Sequence, residues 1–354
     1  MSSATKPPHG SPAGAKEYLD EIEALHMHPL WQVMDELMPV HPKPLETPYQ
    51  WKWKEIRPLV YKAAELVSIE NAVRRVLMLL NPSLPKERAA STQTLYAGIQ
   101  ILLPGEVAPA HRHTPNALRF VMEGKGAFTT VSGEKTILGP GDVVTTPTWT
   151  WHDHGNESDG PVVWLDALDI PLVNAVSGMF YEDYPQKHQP VSDVTNSSQR
   201  TYGRGLRPVG DHRSLTYSPI LNYPYSASKD ALEGLPATSH HPCDGRILEY
   251  VNPLTGGPIL PTMDAFLQRI DPGPELPAHR HSSSAIYMGV EGKGTLTVDG
   301  QVFTWEPYDV LVVPAWAKHS HRALGNQPAT LFSYTNAPTM KALALYREDG
   351  PGTA

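Results

Sequence analysis

The sequence predicts an all-β protein in which one antiparallel β domain occurs twice, behind a helical N-terminal arm. From about residue 94 the chain consists of short alternating apolar runs separated by Gly and Pro turns, which is typical of an antiparallel sandwich or barrel. The chain also contains 36 prolines in 354 residues, about twice the usual share, and proline disfavours long helices. The third observation is an internal repeat.

The first 90 residues are predicted to form the helical arm. Residues 1–15 are rich in Pro, Gly and Ser and are expected to be disordered, whereas residues 16–38 place apolar side chains at helical spacing. A second amphipathic helix is expected over 51–67, with an interruption near Pro58.

The repeat follows the same order of motifs twice. A Gly, five residues, and then His-x-His begin at Gly105 and again at Gly273, an offset of 168 residues. Two more stretches recur at nearly the same offset: 123–126 with 291–294, and 147–152 with 314–319. One β domain has therefore been duplicated within the chain.

The positions of the repeats set the expected domain boundaries. We expect a first β domain over 91–175 and a second over 261–345. The Pro-, Ser- and Tyr-rich stretch between them, 176–260, is too long for a simple linker and is expected to be irregular structure packed on the domains.

Composition excludes several classes of function. The 29 basic and 37 acidic residues give a net charge of −8, which argues against binding to nucleic acid or to an anionic membrane. There is no apolar run of the length that spans a bilayer. The single cysteine, Cys243, and the lack of a secretory signal favour a cytoplasmic protein.

Histidine spacing predicts a metal site in each domain. His111 and His113 are two residues apart, so in a strand they project from the same face, and His152 follows in a later strand. Three neutral imidazoles suit Fe, Zn, Cu or Ni and leave the opposite coordination positions open. The corresponding histidines of the second domain are His279, His281 and His319.

These motifs resemble those of the cupin superfamily, and the duplication resembles a bicupin, which consists of two antiparallel β-barrel (jelly-roll) cupin domains. The usual cupin motif has a Glu ligand four residues after the second His, but this chain has Ala117 and Ala285 there. A bicupin with a three-histidine site resembles the ring-cleaving gentisate 1,2-dioxygenase family. Further stretches carry the likeness: 95–100, 104–113, 117–120 and 165–171.

The resemblance implies an Fe(II)-dependent, extradiol-type dioxygenase in which His111, His113 and His152 hold the iron. Dioxygen would be the co-substrate, and a small aromatic hydroxy acid, gentisate, would be cleaved between its carboxyl-bearing and hydroxyl-bearing carbons to maleylpyruvate. It also implies a homotetramer. For the second-domain triad, a metal without catalysis and an empty vestigial site both stay open.

Differences between the copies point to the first domain as the catalytic one. Arg119 lies six residues after His113, on the same face of an uninterrupted strand, and could hold a carboxylate; its counterpart is Tyr287. Asp166 has no acidic counterpart at 333 or 334. Gln100 and His154 are matched in the second copy by Gln268 and His321.

The resemblance gives these side chains roles in the first domain. Arg119 would neutralise the substrate carboxylate, while His154 and Gln100 would steer the substrate hydroxyl and the bound oxygen. Asp166 would hold the distal hydroxyl or an acid-base partner. Arg74 would reach the pocket from the N-terminal segment, and Tyr96 would offer its hydroxyl to the 5-hydroxyl of gentisate.

Other functions compete with this one. Salicylate and 1-hydroxy-2-naphthoate share the carboxylate and ortho-hydroxyl of gentisate, and the hydroxyl of Tyr96 favours gentisate among the three. A bicupin decarboxylase of the oxalate type would use manganese and a glutamate ligand, which Ala117 and Ala285 disfavour. A metal-binding bicupin without turnover is the alternative from a different class.

Overall fold

The structure is a computed structural model that describes residues 14–211, 216–236 and 238–352. The expectation of disorder for the first 15 residues therefore lies outside the described residues, except at positions 14 and 15, where a helix begins. None of the helices in the described ranges combines the length and the apolar composition that crossing a membrane requires.

The N-terminal unit ends at residue 43 and contains two helices, α1 (Ala15–Ala24) and α2 (Leu30–Leu37). The expected helical stretch over 16–38 is broken because His26 adopts a positive φ of 57° and Pro29 precedes α2. Large apolar side chains of α2 are exposed: Leu30, Trp31, Met34 and Leu37.

The second unit, residues 44–354, begins with alternating strands and helices. These elements are β1 (Tyr49–Trp51), α3 (Trp53–Leu66), α4 (Ile69–Ala72) and β2 (Val76–Met78). The expected interruption at Pro58 is absent, because Pro58 lies inside α3. Proline at that position removes one backbone hydrogen bond, and burial of Trp53 and Val60 against the core favours the continuous helix.

The first repeat forms eight strands after a short 3-10 turn at Lys86–Arg88. They are β3 (Tyr96–Leu102), β4 (Val107–His113), β5 (Ala117–Glu123), β6 (Ala127–Val131), β7 (Glu134–Ile137), β8 (Val143–Thr146), β9 (His152–Asn156) and β10 (Val162–Leu168). Strands β3, β5, β8 and β10 belong to one antiparallel sheet, and β4, β6, β7 and β9 belong to another.

The connection between the repeats contains regular elements where the sequence suggested irregular structure. They are α5 (Ile170–Ala175), β11 (Tyr181–Asp183), α6 (Ser197–Tyr202), β12 (Asn222–Tyr223), α7 (Tyr225–Glu233) and β13 (Arg246–Glu249). Strands β11 and β12 extend the two sheets of the first repeat, and β13 extends the large sheet of the second.

The second repeat again forms eight strands. They are β14 (Asp264–Ile270), β15 (Arg280–His281), β16 (Ala285–Glu291), β17 (Gly294–Val298), β18 (Gln301–Trp305), β19 (Val310–Val313), β20 (His319–Ala323) and β21 (Ala329–Thr335), and they are followed by α8 (Ala337–Ala342) and β22 (Glu348–Asp349). The large sheet has the order β1-β19-β16-β21-β14-β13. The predicted fold class, an all-β bicupin with a helical N-terminal arm, is confirmed.

The largest sheets of the two repeats share one hydrophobic core. The Phe120 ring of β5 lies 4.7 Å from the Phe332 ring of β21, centroid to centroid. The Tyr334 hydroxyl donates a hydrogen bond of 2.8 Å to the backbone carbonyl of Tyr96. Burial of this apolar surface therefore holds the two copies together and fixes the back of β3, whose front face carries predicted site residues.

Candidate metal and substrate site

The three histidines of the first repeat converge. His111 and His113 project from β4, and His152 begins β9 directly opposite His111. The ring centroids lie 5.2 Å (His111 to His113), 4.1 Å (His111 to His152) and 4.8 Å (His113 to His152) apart. Their nearest nitrogen atoms all lie within 4.8 Å of one another, so one ion could contact all three.

Backbone carbonyls fix the orientation of each imidazole. The contacts are His111 Nδ1 to Pro109 O (3.1 Å), His113 Nδ1 to Pro115 O (2.8 Å) and His152 Nδ1 to Thr150 O (2.8 Å). A carbonyl only accepts, so Nδ1 carries the hydrogen and Nε2 keeps its lone pair. The buried Nε2 of His152 has no hydrogen-bond partner among the described residues, which leaves it free to bind a ligand.

Burial keeps the triad neutral. It lowers the pKa of His111 to about 2 and the pKa of His113 to about 4, and the positive charges of Arg74 and Arg119 lower both further. Burial also lowers the pKa of His152 well below its usual value. At neutral pH the three rings are therefore the unprotonated imidazoles that metal ions require.

A cavity of about 300 Å³ opens beside this triad. The walls contain residues from both sheets of the first repeat and from the segments on either side of it. Of the predicted site residues, the lining includes Arg74, Tyr96, Gln100, His111, His113, Arg119 and Asp166. The structure thus brings seven of the nine predicted first-repeat residues to one cavity.

Arg119 and Asp166 form a buried ion pair at the cavity wall. They are directly opposite each other on β5 and β10, with Arg119 Nε 2.9 Å from Asp166 Oδ1, and each side chain is only 5% exposed. Arg119 Nη1 donates to Thr146 Oγ1 (3.0 Å), and Trp164 Nε1 donates to Asp166 Oδ1 (3.0 Å). One edge of the guanidinium is therefore occupied by Asp166, which orients the rest of the group.

Arg74 reaches the triad from the N-terminal segment. Its Nη2 donates to the Pro109 carbonyl at 3.0 Å and also contacts Nδ1 of His111. The cavity consequently has two guanidinium groups and one carboxylate, which leaves an excess positive charge in a protein of net charge −8.

Gln100 and Tyr96 project from the same face of β3 into the cavity. The buried Nε2 of Gln100 has no hydrogen-bond partner in the described part of the chain, so it is available to a ligand. Gly98 lies between these two residues, and a Cβ atom there would come within 2.5 Å of the Tyr96 hydroxyl. Only glycine at 98 leaves this hydroxyl its space.

His154 lies beside the triad but does not line the cavity. Its ring centroid is 5.7 Å from that of His152, and its Nδ1 hydrogen-bonds with Thr129 Oγ1 at 2.8 Å. Its Nε2 is buried and has no partner among the described residues. The structure therefore places His154 next to a triad histidine rather than at the cavity surface.

The cavity also contains residues that sequence reasoning missed. Tyr181 on β11 stacks on the ring of His111, with centroids 5.5 Å apart and planes at 28°, and Met179 lines the same wall. Both lie in the connection between the repeats. The sequence of this segment has little periodicity, so no local signal identified them.

The second triad has nearly the same geometry as the first. The ring centroids lie 5.7 Å (His279 to His281), 4.3 Å (His279 to His319) and 5.0 Å (His281 to His319) apart, and the nearest nitrogens again lie within 4.8 Å of one another. Nδ1 of His281 and Nδ1 of His319 contact backbone carbonyls at 2.8 and 3.0 Å. Both repeats can therefore present a three-nitrogen face.

Comparisons with known proteins agree with this duplication. The family model described as "Cupin domain" matches residues 98–168 and 266–335. Each matched stretch contains one His-x-His pair and one later histidine of a triad.

Similar proteins cover almost the whole chain. A gentisate 1,2-dioxygenase of Aquipseudomonas alcaligenes is 38% identical over 94% of this chain and 95% of its own length. A 5-aminosalicylate 1,2-dioxygenase of Comamonas sp. is 36% identical over 93% of this chain and 90% of its own length. The crystal structure of a salicylate 1,2-dioxygenase from Pseudoaminobacter salicylatoxidans with gentisate superposes with a TM-score of 0.89, at 34% identity, over 100% of this chain and 98% of that one.

Proposed function

Because this chain belongs to the gentisate 1,2-dioxygenase family of cupin proteins, we propose that it is an Fe(II)-dependent dioxygenase that cleaves gentisate to maleylpyruvate. In this reaction the ring bond between the carboxyl-bearing and the hydroxyl-bearing carbon breaks, and both atoms of dioxygen enter the product. The observation that carries the proposal is a neutral three-histidine face in the same cavity as two arginines.

The donor set fits a divalent transition metal. Three imidazoles with Nδ1 bound to carbonyls offer three Nε2 lone pairs, and coordination would satisfy the buried Nε2 of His152. His111, His113 and His152 would hold Fe(II), which would supply open positions for substrate and dioxygen and exchange electrons with them. Ala117 stands where a carboxylate ligand would be, so the ion would keep its full charge of +2 for an anionic substrate.

The two arginines suit the substrate carboxylate. Arg119 is held by Asp166 and Thr146, so its free N–H groups have a fixed direction before substrate arrives. Arg74 adds a second positive charge beside His111. Together they favour entry of an aromatic acid into a protein whose net charge would otherwise repel it.

Asp166 acts on substrate through Arg119. Its Oδ1 already contacts Arg119 Nε and Trp164 Nε1, so we assign it as a positioning residue and not as the partner of a distal hydroxyl. Burial raises the pKa of Asp166, whereas Arg119 opposes that change and favours the carboxylate. His154 is assigned a similar indirect role, because it adjoins His152. Gln100 Nε2 is the neutral donor that would meet a substrate oxygen.

Tyr96 favours gentisate over salicylate and 1-hydroxy-2-naphthoate. Its hydroxyl lies at the cavity wall, in space that Gly98 leaves open, and burial raises its pKa so that it stays a protonated donor. Gentisate carries a second ring hydroxyl, which can pair with it. A substrate without that hydroxyl would leave a buried polar group unpaired, at a cost of about 1–3 kcal/mol.

We also propose a cytoplasmic homotetramer. The exposed apolar side chains of α2 support association with further copies of the chain, and a single cysteine is typical of a reducing compartment. Light scattering should give the mass of four 39.0 kDa chains. A monomeric mass would contradict this assignment and leave the catalytic proposal unaffected.

The test of the catalytic function is oxygen consumption after anaerobic loading with Fe(II). Gentisate, salicylate and 1-hydroxy-2-naphthoate are compared side by side, with oxygen uptake and product absorbance recorded together. We expect one dioxygen consumed per gentisate, the highest kcat/KM for gentisate, and no uptake by a His111→Ala variant. Faster turnover of salicylate or hydroxynaphthoate would select those substrates, and no uptake with any of them would favour a metal-binding protein without turnover.

A further inference from the structure

The second triad differs from the first in the charge that faces it. In the first repeat, Arg74 contacts Nδ1 of His111. At the corresponding histidine of the second repeat, His279, the neighbour of Nδ1 is the carboxylate of Asp244, 3.9 Å away. The other oxygen of Asp244 lies 3.7 Å from Nε2 of His321, the counterpart of His154. A positive group beside the triad has been replaced by a negative one.

Asp244 is held at this place by a built turn. Its backbone carbonyl accepts a 2.8 Å hydrogen bond from Nε2 of Gln268, and its Oδ2 lies 2.7 Å from Nδ1 of His241. Gly245 follows with φ of +70°, and a Cβ there would come within 2.7 Å of the Arg269 carbonyl. The side chain of Asp244 is only 14% exposed, so it is part of the site and not a surface charge.

The side chain that replaces Arg119 is also suited to a different task. Tyr287 occupies the equivalent position on β16, and its hydroxyl lies 3.5 Å from Nε2 of His319. Tyr287 is buried, so a neutral phenol closes the space in which the first repeat presents a guanidinium. The second site therefore lacks, at these two positions, the cations that would bind an organic anion.

The charges acting on the two triads confirm the contrast. Arg119 and Arg74 are the charged side chains that act most strongly on His113, whereas Asp244 and Glu348 are those that act most strongly on His281. A cation in the first triad needs an incoming anion to offset two guanidinium groups. A cation in the second triad has its anion already in place, supplied by the protein.

We infer that His279, His281 and His319 form a second, non-catalytic site for a divalent transition metal, in which Asp244 supports the ligand His279. The Nε2 atoms are the ligands, and the carboxylate faces the outer nitrogen of His279, an arrangement that orients a ligating imidazole and increases its basicity. This inference rests on the second repeat alone and does not depend on the proposed function. It gives the duplicated domain a structural role, linking the 241–245 turn to strands β15 and β20.

The first measurement is metal stoichiometry of the full-length protein. The apo-protein is titrated anaerobically with Fe(II), and separately with Zn(II), and bound metal is measured after removal of the free ion. We expect two equivalents per chain for the wild type, and one for His319→Ala, with gentisate turnover per remaining iron unchanged. The matching variant of the first triad, His152→Ala, should also bind one equivalent but have no turnover.

The second measurement tests Asp244. Asp244→Asn should weaken binding of the second equivalent about 10- to 100-fold, the usual effect of removing a group that orients a metal ligand. Asp271→Asn is the matched control, because it removes a half-exposed carboxylate of the same repeat that pairs with Arg246 and Arg269. It should leave both equivalents unchanged.

The inference is overturned if the wild type binds at most one equivalent and His319→Ala retains it. It is also overturned if Asp244→Asn binds metal as tightly as Asp271→Asn does. The wild-type titration decides the matter even where a variant fails to fold. Loss of the second equivalent alone leaves gentisate turnover intact, whereas failure of the catalytic proposal would leave the second equivalent in place, so the two failures are distinguishable.

Discussion

Replacing Arg119 with alanine should affect both stability and substrate binding. Arg119 and Asp166 are each 5% exposed and lie 2.9 Å apart. Removing the guanidinium leaves the Asp166 carboxylate buried with Trp164 Nε1 as its remaining donor. Breaking a buried pair in this way costs about 3–5 kcal/mol, so the free energy of unfolding of the apo-protein should fall by about that amount.

The same substitution should raise the KM for gentisate with little loss of iron. Truncating one partner of a buried charged contact costs at least about 2 kcal/mol, which is about a 30-fold increase in KM. Iron content should stay near that of the wild type, because backbone carbonyls orient His111, His113 and His152 independently of Arg119.

A double variant separates the two effects. Arg119→Met with Asp166→Leu removes both charges and replaces them with apolar groups, which is often neutral or stabilising. Urea unfolding of the apo-protein should show recovered stability, while oxygen uptake shows a KM still at least about 30-fold higher. A double variant that binds gentisate like the wild type would refute the assignment of Arg119, as would iron loss in Arg119→Ala as complete as in His111→Ala.

Three further outcomes follow from the site. Tyr96→Phe should lower kcat/KM for gentisate about tenfold, the value of one neutral hydrogen bond, and leave salicylate turnover nearly unchanged; equal losses would contradict the pairing with a second hydroxyl. His152→Ala should abolish first-site metal and turnover, as measured by metal analysis and oxygen uptake. Burial depresses the pKa of His111, His113 and His321 in the folded protein to about 2, 4 and 4, so below pH 6.5 the unfolded chain takes up protons that the folded chain excludes. The free energy of unfolding of the apo-protein should therefore fall, by about 1 kcal/mol per pH unit for each such group, and a flat urea-unfolding profile from pH 6.5 to 4.5 would contradict this.

The metal triads could be predicted because their information is local and repeated. Two histidines at i and i+2 must share a face of any strand, so His111 and His113 had to project together. The third member, His152, comes from a strand that pairs with β4, and only the recurrence of all three in the second repeat singled it out from the other histidines.

The partner of Asp166 could not be predicted in the same way. The sequence placed Asp166 at the substrate, yet strand register puts it opposite Arg119, 47 residues away, and pairs the two. Which residue stands opposite another depends on the alignment of whole strands, and a shift of one residue would have turned Arg119 to the other face.

The connection between the repeats held the least readable information. Its sequence suggested irregular structure, but it contributes Tyr181 to the first site and Asp244 to the second. Neither residue lies in a repeated motif or a periodic run. Their positions follow from where strands β11 and β13 add to the edges of existing sheets.

The sequence by itself determined the duplication, the all-β class, the two histidine triads and the asymmetry that puts arginine in one copy and tyrosine in the other. These features depend on residue type and spacing within a few positions, where strand geometry leaves little choice. Only the tertiary structure decided which charge faces each triad: Arg74 beside His111 and Asp244 beside His279. Those contacts join segments far apart in the chain, and they exist only once the sheets have packed and their edges have been extended.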